Sequence, residues 1–283
     1  MDKKKVTYTI RPFNTGLVTG VKGDKNDPDN FYNYHFSLFK YLEGRTLHSS
    51  AEEGTLCFLL EGSDGSKIMV DLGMCGTERA AKYHHGGSIQ APGMAGYEQI
   101  QKVGVKPEDI SAVIFTHLHW DHTGHIEKYP NAKFYANKRE YEFALDPIPM
   151  YYKSYESDVL GIHNPIKDVE FELFEGEKEL LPGIVVFDTP GHSPGHVAVE
   201  VDTEDGKYII AGDAAFGLYT FEPFPELHYD ITPAGRYCDI VGFWESIRKI
   251  RDRAVDMDHI LLTHEPSMLK RIEETPVIGL KKE

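Results

Sequence analysis

The chain has 283 residues, enough for one large domain or two modest ones, and its 41% hydrophobic and 27% charged content is that of a soluble globular protein. A formal net charge of −15 argues against nucleic acid or an anionic membrane as the main partner, because both call for basic patches. No apolar run approaches the roughly 20 residues of a membrane span.

The N-terminus, MDKKKVTYTIRPF, carries basic residues with no apolar stretch behind them and does not read as a signal peptide. Cys57, Cys75 and Cys238 are odd in number, widely spaced and form no CxxC pair. They speak against a disulfide framework or a thiolate zinc site, and for a reducing cytoplasm. Residues 24–53 are rich in aromatics (Phe31, Tyr32, Tyr34, Phe36, Phe39, Tyr41) and interrupt the regular pattern. Next comes a series of short apolar, β-branched runs, each ending in a residue that could bind metal. SKIMVDLG ends at Asp71, ISAVIFTHLHWDH at His117, KYIIAGD at Asp213 and HILLTHE at His264, while GIVVFDTPGH leads to His192. Such runs read as buried strands, and the Gly, Pro or Thr at their ends marks the following turn.

Helices are expected between the runs, over 95–104, 137–145 and 242–254. Strands alternating with helices imply an α/β protein, in which active sites gather at the carboxyl ends of strands. Residues 147–168, with Met150, Tyr151, Tyr152 and Tyr155, form a long loop. This loop and the 24–53 segment either wall a pocket for a substrate with an apolar portion, or pack on the core or in a homodimer interface.

The stretch THLHWDHTGH (116–125) contains HxHxDH. Residues two apart in an extended chain face the same way, so His117 and His119 can share an ion. Asp121 and His122 follow a bend. Four donors within six residues serve two neighbouring ions better than one. His192 completes a three-His set with His117 and His119, and His264 joins Asp121 and His122. Asp213, with two oxygens, can bridge the pair. Imidazole and carboxylate suit zinc, and also manganese, iron or cobalt. Asp71 either orients a ligand histidine or serves as a turn residue. His125 and His196 read as structural or supporting, and His84, His85 and His163 as loop residues.

HxHxDH, the later His in PGHSPGH, the Asp in GD and the final His together resemble the metallo-β-lactamase superfamily over roughly residues 55–268. The resemblance implies an αββα sandwich, two mixed sheets face to face with helices outside and the metals at one edge. The whole chain, 1–283, is then one such domain with an insertion at 24–53. Within the superfamily the HLHWDHTGH and PGHSPGH runs, the length and the aromatic segment resemble N-acyl-homoserine lactonases. The implied activity is a dinuclear metal-dependent hydrolase that opens a small lactone by attack of a hydroxide shared between two ions. Asp121 would orient that hydroxide and carry its proton, and Asp213 would hold the spacing of the metals. Rival readings on the same residues are hydrolysis of an aryl ester, phosphotriester or thioester, or a mononuclear iron persulfide dioxygenase. Those lactonases typically carry Tyr three residues after the bridging Asp. Here that position is Phe216, which has no hydroxyl, and Tyr219 is the nearby candidate to replace it.

Overall fold

Side chains of a strand alternate between two faces, so a strand apolar at every position must be covered on both. Glu52–Gly62 (β2) contains such a run at 56–60: Leu56, Phe58 and Leu60 point one way, Cys57 and Leu59 the other, and all five are fully buried. The computed structural model describes residues 5–19, 52–233 and 237–281. The aromatic segment expected at 24–53 lies outside the described residues, apart from the last two, which open β2.

Tyr8–Thr19 (β1) pairs antiparallel with β2, which pairs antiparallel with Lys67–Val70 (β3). Ser88–Ile89 (β4) extends the other edge of β1. Beyond β3 the direction changes, and Ala112–Ile114 (β5), Lys133–Asn137 (β6) and Phe171–Phe174 (β7) run parallel. The resulting order is β4-β1-β2-β3-β5-β6-β7. The second sheet comprises Lys178–Leu181 (β8), Ile184–Asp188 (β9), Val197–Thr203 (β10), Gly206–Gly212 (β11) and Ile260–Leu262 (β12), ordered β12-β11-β10-β9-β8. Its β11 and β12 are parallel and its other pairs antiparallel.

Three layers of apolar contact follow from the alternation. Between the sheets, Leu56, Phe58, Val70 and Ile114 meet Val186, Val199, Ile210 and Leu261. On the outer face of the first sheet, Leu59, Met69 and Val113 pack with Ile100 of Gly96–Lys102 (α2) and Ala144 of Lys138–Leu145 (α3). A further helix, Thr77–Tyr83 (α1), precedes them. On the outer face of the second sheet, Phe187, Ala198, Ile209 and Leu262 receive Phe243, Ile247 and Ile250 of Ile240–Arg253 (α4). Ser267–Glu274 (α5) closes the order of elements. The architecture is the expected αββα sandwich.

The three expected helices form where the sequence placed them, with ends set by local chemistry, and α1 and α5 are additional. Asp239 caps α4 by accepting from the amides of Val241 and Gly242, and Arg251 and Arg253 occupy its last turn, where cations suit the helix dipole. Asn137 caps α3 by accepting from Arg139 N–H. Helix α2 is shorter than 95–104 because Gly104 takes a positive φ of 83° and ends it. The 147–168 loop is irregular as expected, built on three 3-10 turns at Pro149–Tyr151, Asp158–Leu160 and Pro165–Asp168 around the fully buried Tyr155. No helix among the described residues is long and apolar enough to cross a membrane.

Phe58 sits between the sheets with no exposed surface. Phe58→Ala is expected to lower unfolding free energy by about 3–5 kcal/mol. In urea or guanidinium titration the midpoint should fall at constant slope. A midpoint unchanged from the parent would remove Phe58 from the inter-sheet core.

Candidate metal centre

Five chain segments reach one edge of the sandwich from the carboxyl ends of strands. Asp71 follows β3, the HxHxDH loop follows β5, His192 follows β9, Asp213 follows β11 and His264 follows β12. Asp71 holds the first two together. Its Oδ1 accepts from Thr116 N–H and its Oδ2 from Thr116 Oγ1–H, each at 2.8 Å, and Oδ2 also lies 2.8 Å from Nδ1 of His122. The backbone adds Leu72 N–H to His122 O at 2.8 Å and Gly124 N–H to Gly73 O at 2.8 Å. The two sheets approach closely here: Val197 N–H donates to Thr116 O at 2.9 Å. Gly212, with φ of 51°, has no room for a side chain, since a Cβ would lie 2.6 Å from Thr116 Oγ1.

The seven candidate ligands converge in two sets. Donor atoms of His117, His119 and His192 lie within 4.8 Å of one another, as do those of Asp121, His122, Asp213 and His264. Nδ1 of His119 and Nε2 of His192 are 3.0 Å apart. Two ligands about 2.0–2.1 Å from one tetrahedral zinc ion sit about 3.4 Å apart, so the first set is scaled for one ion. Asp213 faces both sets. Its Oδ2 is 3.5 Å from His192 Nε2, 3.9 Å from His117 Nε2 and 3.2 Å from His264 Nε2, and its Oδ1 is 3.3 Å from His122 Nε2. His264 Nε2 also lies 3.4 Å from Asp121 Oδ2.

Neighbours fix which nitrogen of each ring is free to coordinate. His264 Nδ1 lies 2.8 Å from the Gly54 carbonyl, which only accepts, so Nδ1 carries the proton and Nε2 presents a lone pair to the centre. His122 donates from Nδ1 to Asp71, freeing its Nε2 in the same way. The Nε2 atoms of His117 and His122 are buried without a hydrogen bond, a costly arrangement that a cation resolves. Buried imidazole and carboxylate donors, orphaned lone pairs and ligand-scaled spacing all fit divalent ions.

The electrostatics point the same way. Burial opposes a charge on His264, yet Asp213 and Asp121 raise it well above its ordinary range. His122, likewise opposed by burial, is pushed up to about 10 by Asp213 and Asp71. Burial would raise the Asp213 carboxyl, but His264 and His122 hold it well below the usual carboxylate range. Burial and the neighbouring His122 and His119 push His117 well down. The carboxylates thus create a field that holds cations, whether protons or metal.

The remaining candidates divide. Asp71 braces His122, the first of the two roles open to it. His196 accepts from Asp213 N–H through Nε2 at 3.2 Å and lies 2.8 Å from Thr189 Oγ1 through Nδ1, so it positions the Asp213 backbone. His125 takes a left-handed φ of 58° and lies 3.3 Å from Gln90 Oε1. Phe216 packs its ring 5.4 Å from His192 and 5.5 Å from His264. Tyr219 lies in the next 3-10 turn with its ring against Gly217. His84, expected as a loop residue, caps α1 with its side chain wholly buried.

The sequence reading missed Glu140. It lies on α3 and is 1% exposed. Its carboxylate accepts from Leu118 N–H at 3.1 Å, Tyr155 O–H at 2.9 Å, Ser193 Oγ–H at 2.7 Å and Gly195 N–H at 3.1 Å. One carboxylate therefore ties the HxHxDH loop, the PGHSPGH loop and the 147–168 segment together. A lone Glu in NKREYEF carries no signal of this, because polar residues in a helix ordinarily face water.

This fold and site define a class, and the profile of the metallo-beta-lactamase superfamily matches residues 51–237. The chain belongs to that superfamily. Its relatives include the N-acyl homoserine lactonase AiiA of Bacillus thuringiensis subsp. kurstaki, 31% identical over 198 residues that cover 64% of this chain and 74% of the relative. A solved B. thuringiensis AiiA variant with N-decanoyl-L-homoserine at its active site superposes with a TM-score of 0.67 at 22% identity, covering 94% of this chain and 96% of that one. AidC, a dizinc quorum-quenching lactonase, superposes with a TM-score of 0.60 at 15% identity over 99% and 96% of the two chains.

Asp71→Ala removes the brace on His122 and is expected to weaken metal retention about 10- to 100-fold. Competition against a chelator measures it. Equal retention in the parent and the variant would show that Asp71 does not orient a ligand.

Proposed function

We propose that this protein is a dinuclear metal-dependent hydrolase that opens a lactone ring, an N-acyl homoserine lactone or a related small lactone. The observation that carries this reading is the position of Asp213, one oxygen toward His117, His192 and His264 and the other toward His122. In this reading His117, His119 and His192 would hold one ion, Asp121, His122 and His264 would hold the other, and Asp213 would be shared between them. Zinc suits the donors best, with manganese, cobalt or iron as alternatives. Divalent ions at these ligands supply Lewis acidity for the ester carbonyl and lower the pKa of water to about 7.

The protein's own groups supply orientation and proton handling. Asp121 is the most exposed of the seven, at 7%. Its carboxylate would take the proton of the attacking water and pass it to the leaving alkoxide. Asp213 and the rings braced by Asp71 and Gly54 keep the centre preorganised, so little reorganisation accompanies the transition state. Tyr151 lies 6.4 Å from His119, and Phe216 packs against His192 and His264. These rings, with the exposed Ile148, Met150 and Val159 of the same loop as Tyr151, suit a substrate with an apolar portion. The lactonases named among the relatives support the choice of a lactone. We assign Tyr219 the donor hydroxyl that Phe216 lacks.

A substrate panel on protein of measured metal content tests this. An N-acyl homoserine lactone or simple lactone is expected to turn over faster than an aryl ester or a phosphotriester. Activity should vanish on chelation and return with zinc, manganese or cobalt, and Asp213→Ala should lose metal and rate together. Full turnover without metal, or none on any lactone with the centre loaded, refutes the assignment. Tyr219→Phe is expected to lower turnover about 10- to 1000-fold. An unchanged kcat would remove its hydroxyl from the mechanism.

A further inference from the structure

A third group of metal-capable side chains lies outside the seven. The donor atoms of Cys75, His84 and Glu156 are within 4.8 Å of one another. They come from three places: the loop after β3, the end of α1 and the 147–168 segment. Nδ1 of His84 lies 2.8 Å from the carbonyl oxygen of Lys153, which only accepts, so Nδ1 bears the proton. Its Nε2 then faces Glu156 Oε1 at 3.1 Å, with the two side chains 0% and 3% exposed. Two lone pairs at that distance repel unless a cation, proton or metal, lies between them. Arg79 donates to both oxygens of Glu156, and through Nη2 to His163 O at 2.7 Å. It offsets the charge of the carboxylate while leaving Oε1 shared with His84. The His84 ring is fixed by stacking on Trp120, 5.0 Å away and 1° from parallel. A cavity of about 620 Å³ is bordered by Cys75, Arg79, Tyr83, Ile162 and His163.

We propose that Cys75, His84 and Glu156 form a separate site for one transition metal ion of the zinc class. One thiolate, one imidazole and one carboxylate are a donor set that zinc and cobalt accept. Burial and the adjacent Glu156 push the Cys75 thiol up. The ion therefore displaces the thiol proton to solvent as the S–metal bond forms. Such an ion ties α1 and the 147–168 segment to Trp120, the residue between His119 and Asp121. It acts as a staple beside the other centre, not as part of it. Cys and His this far from Glu in sequence form none of the compact spacings by which thiolate sites are read.

Cobalt titration of the metal-free, full-length protein separates the two centres, because all seven ligands of the other one are nitrogen or oxygen. The expected result is a near-ultraviolet thiolate-to-cobalt charge-transfer band and a third ion per chain. Cys75→Ser should abolish the band and return the content to two. His84→Ala should weaken cobalt binding at this site by at least about tenfold, as loss of one ligand does. Visible ligand-field absorption without the thiolate band, or a band that survives Cys75→Ser, overturns the proposal. A thiolate band that saturates at one cobalt per chain would instead count against the dinuclear reading alone.

Discussion

A buried carboxylate shared by several imidazoles is the constraint around which this molecule is organised. Asp213 is 4% exposed and faces His117, His122, His192 and His264. Placing one charge and so many lone pairs out of water is unfavourable unless cations accompany them. The fold tolerates the cluster because His117, His122 and His264 have their other ring nitrogen held by a neighbour, and Asp213 its backbone. Asp71, Gly54 O, Thr116 and His196 do that holding, and Glu140 fixes the loops that carry the rings. Without such supports the donors would repel one another and relax apart.

The same constraint explains the topology near the site. The donors sit at the carboxyl ends of β5, β9, β11 and β12, drawn from both sheets. The sheets must therefore close on each other at that edge, and Val197 bonding to Thr116 O and Leu56 to Thr263 O show how they do so. Gly212 is needed where the backbones come too near for a side chain. The inter-sheet core of Phe58, Val199 and Leu261 then sets the relative position of the donors at a distance from the chemistry.

Much of this was legible in the sequence because its signals are local. The apolar runs before Asp71, His117, Asp213 and His264 announced strands, and HxHxDH announced a clustered donor set. The helical spacing of Trp244, Ile247, Ile250 and Arg251 announced α4. Glu140 escaped because its four donors come from three distant segments, and nothing in its own neighbourhood marks it as buried. His84 escaped for a related reason. Its partners, Trp120, Lys153 and Glu156, are brought to it only by the tertiary fold. Asp71 could be read two ways from sequence, and only the geometry of Thr116 and His122 selects one.

The most direct test of the account is anomalous diffraction at the zinc edge from crystals of the zinc-loaded protein. The account predicts two peaks about 3.5–4 Å apart at the edge of the sandwich. One should lie on His117, His119 and His192, the other on Asp121, His122 and His264, with Asp213 touching both. A single peak among these seven residues, or zinc bound only elsewhere, would contradict it.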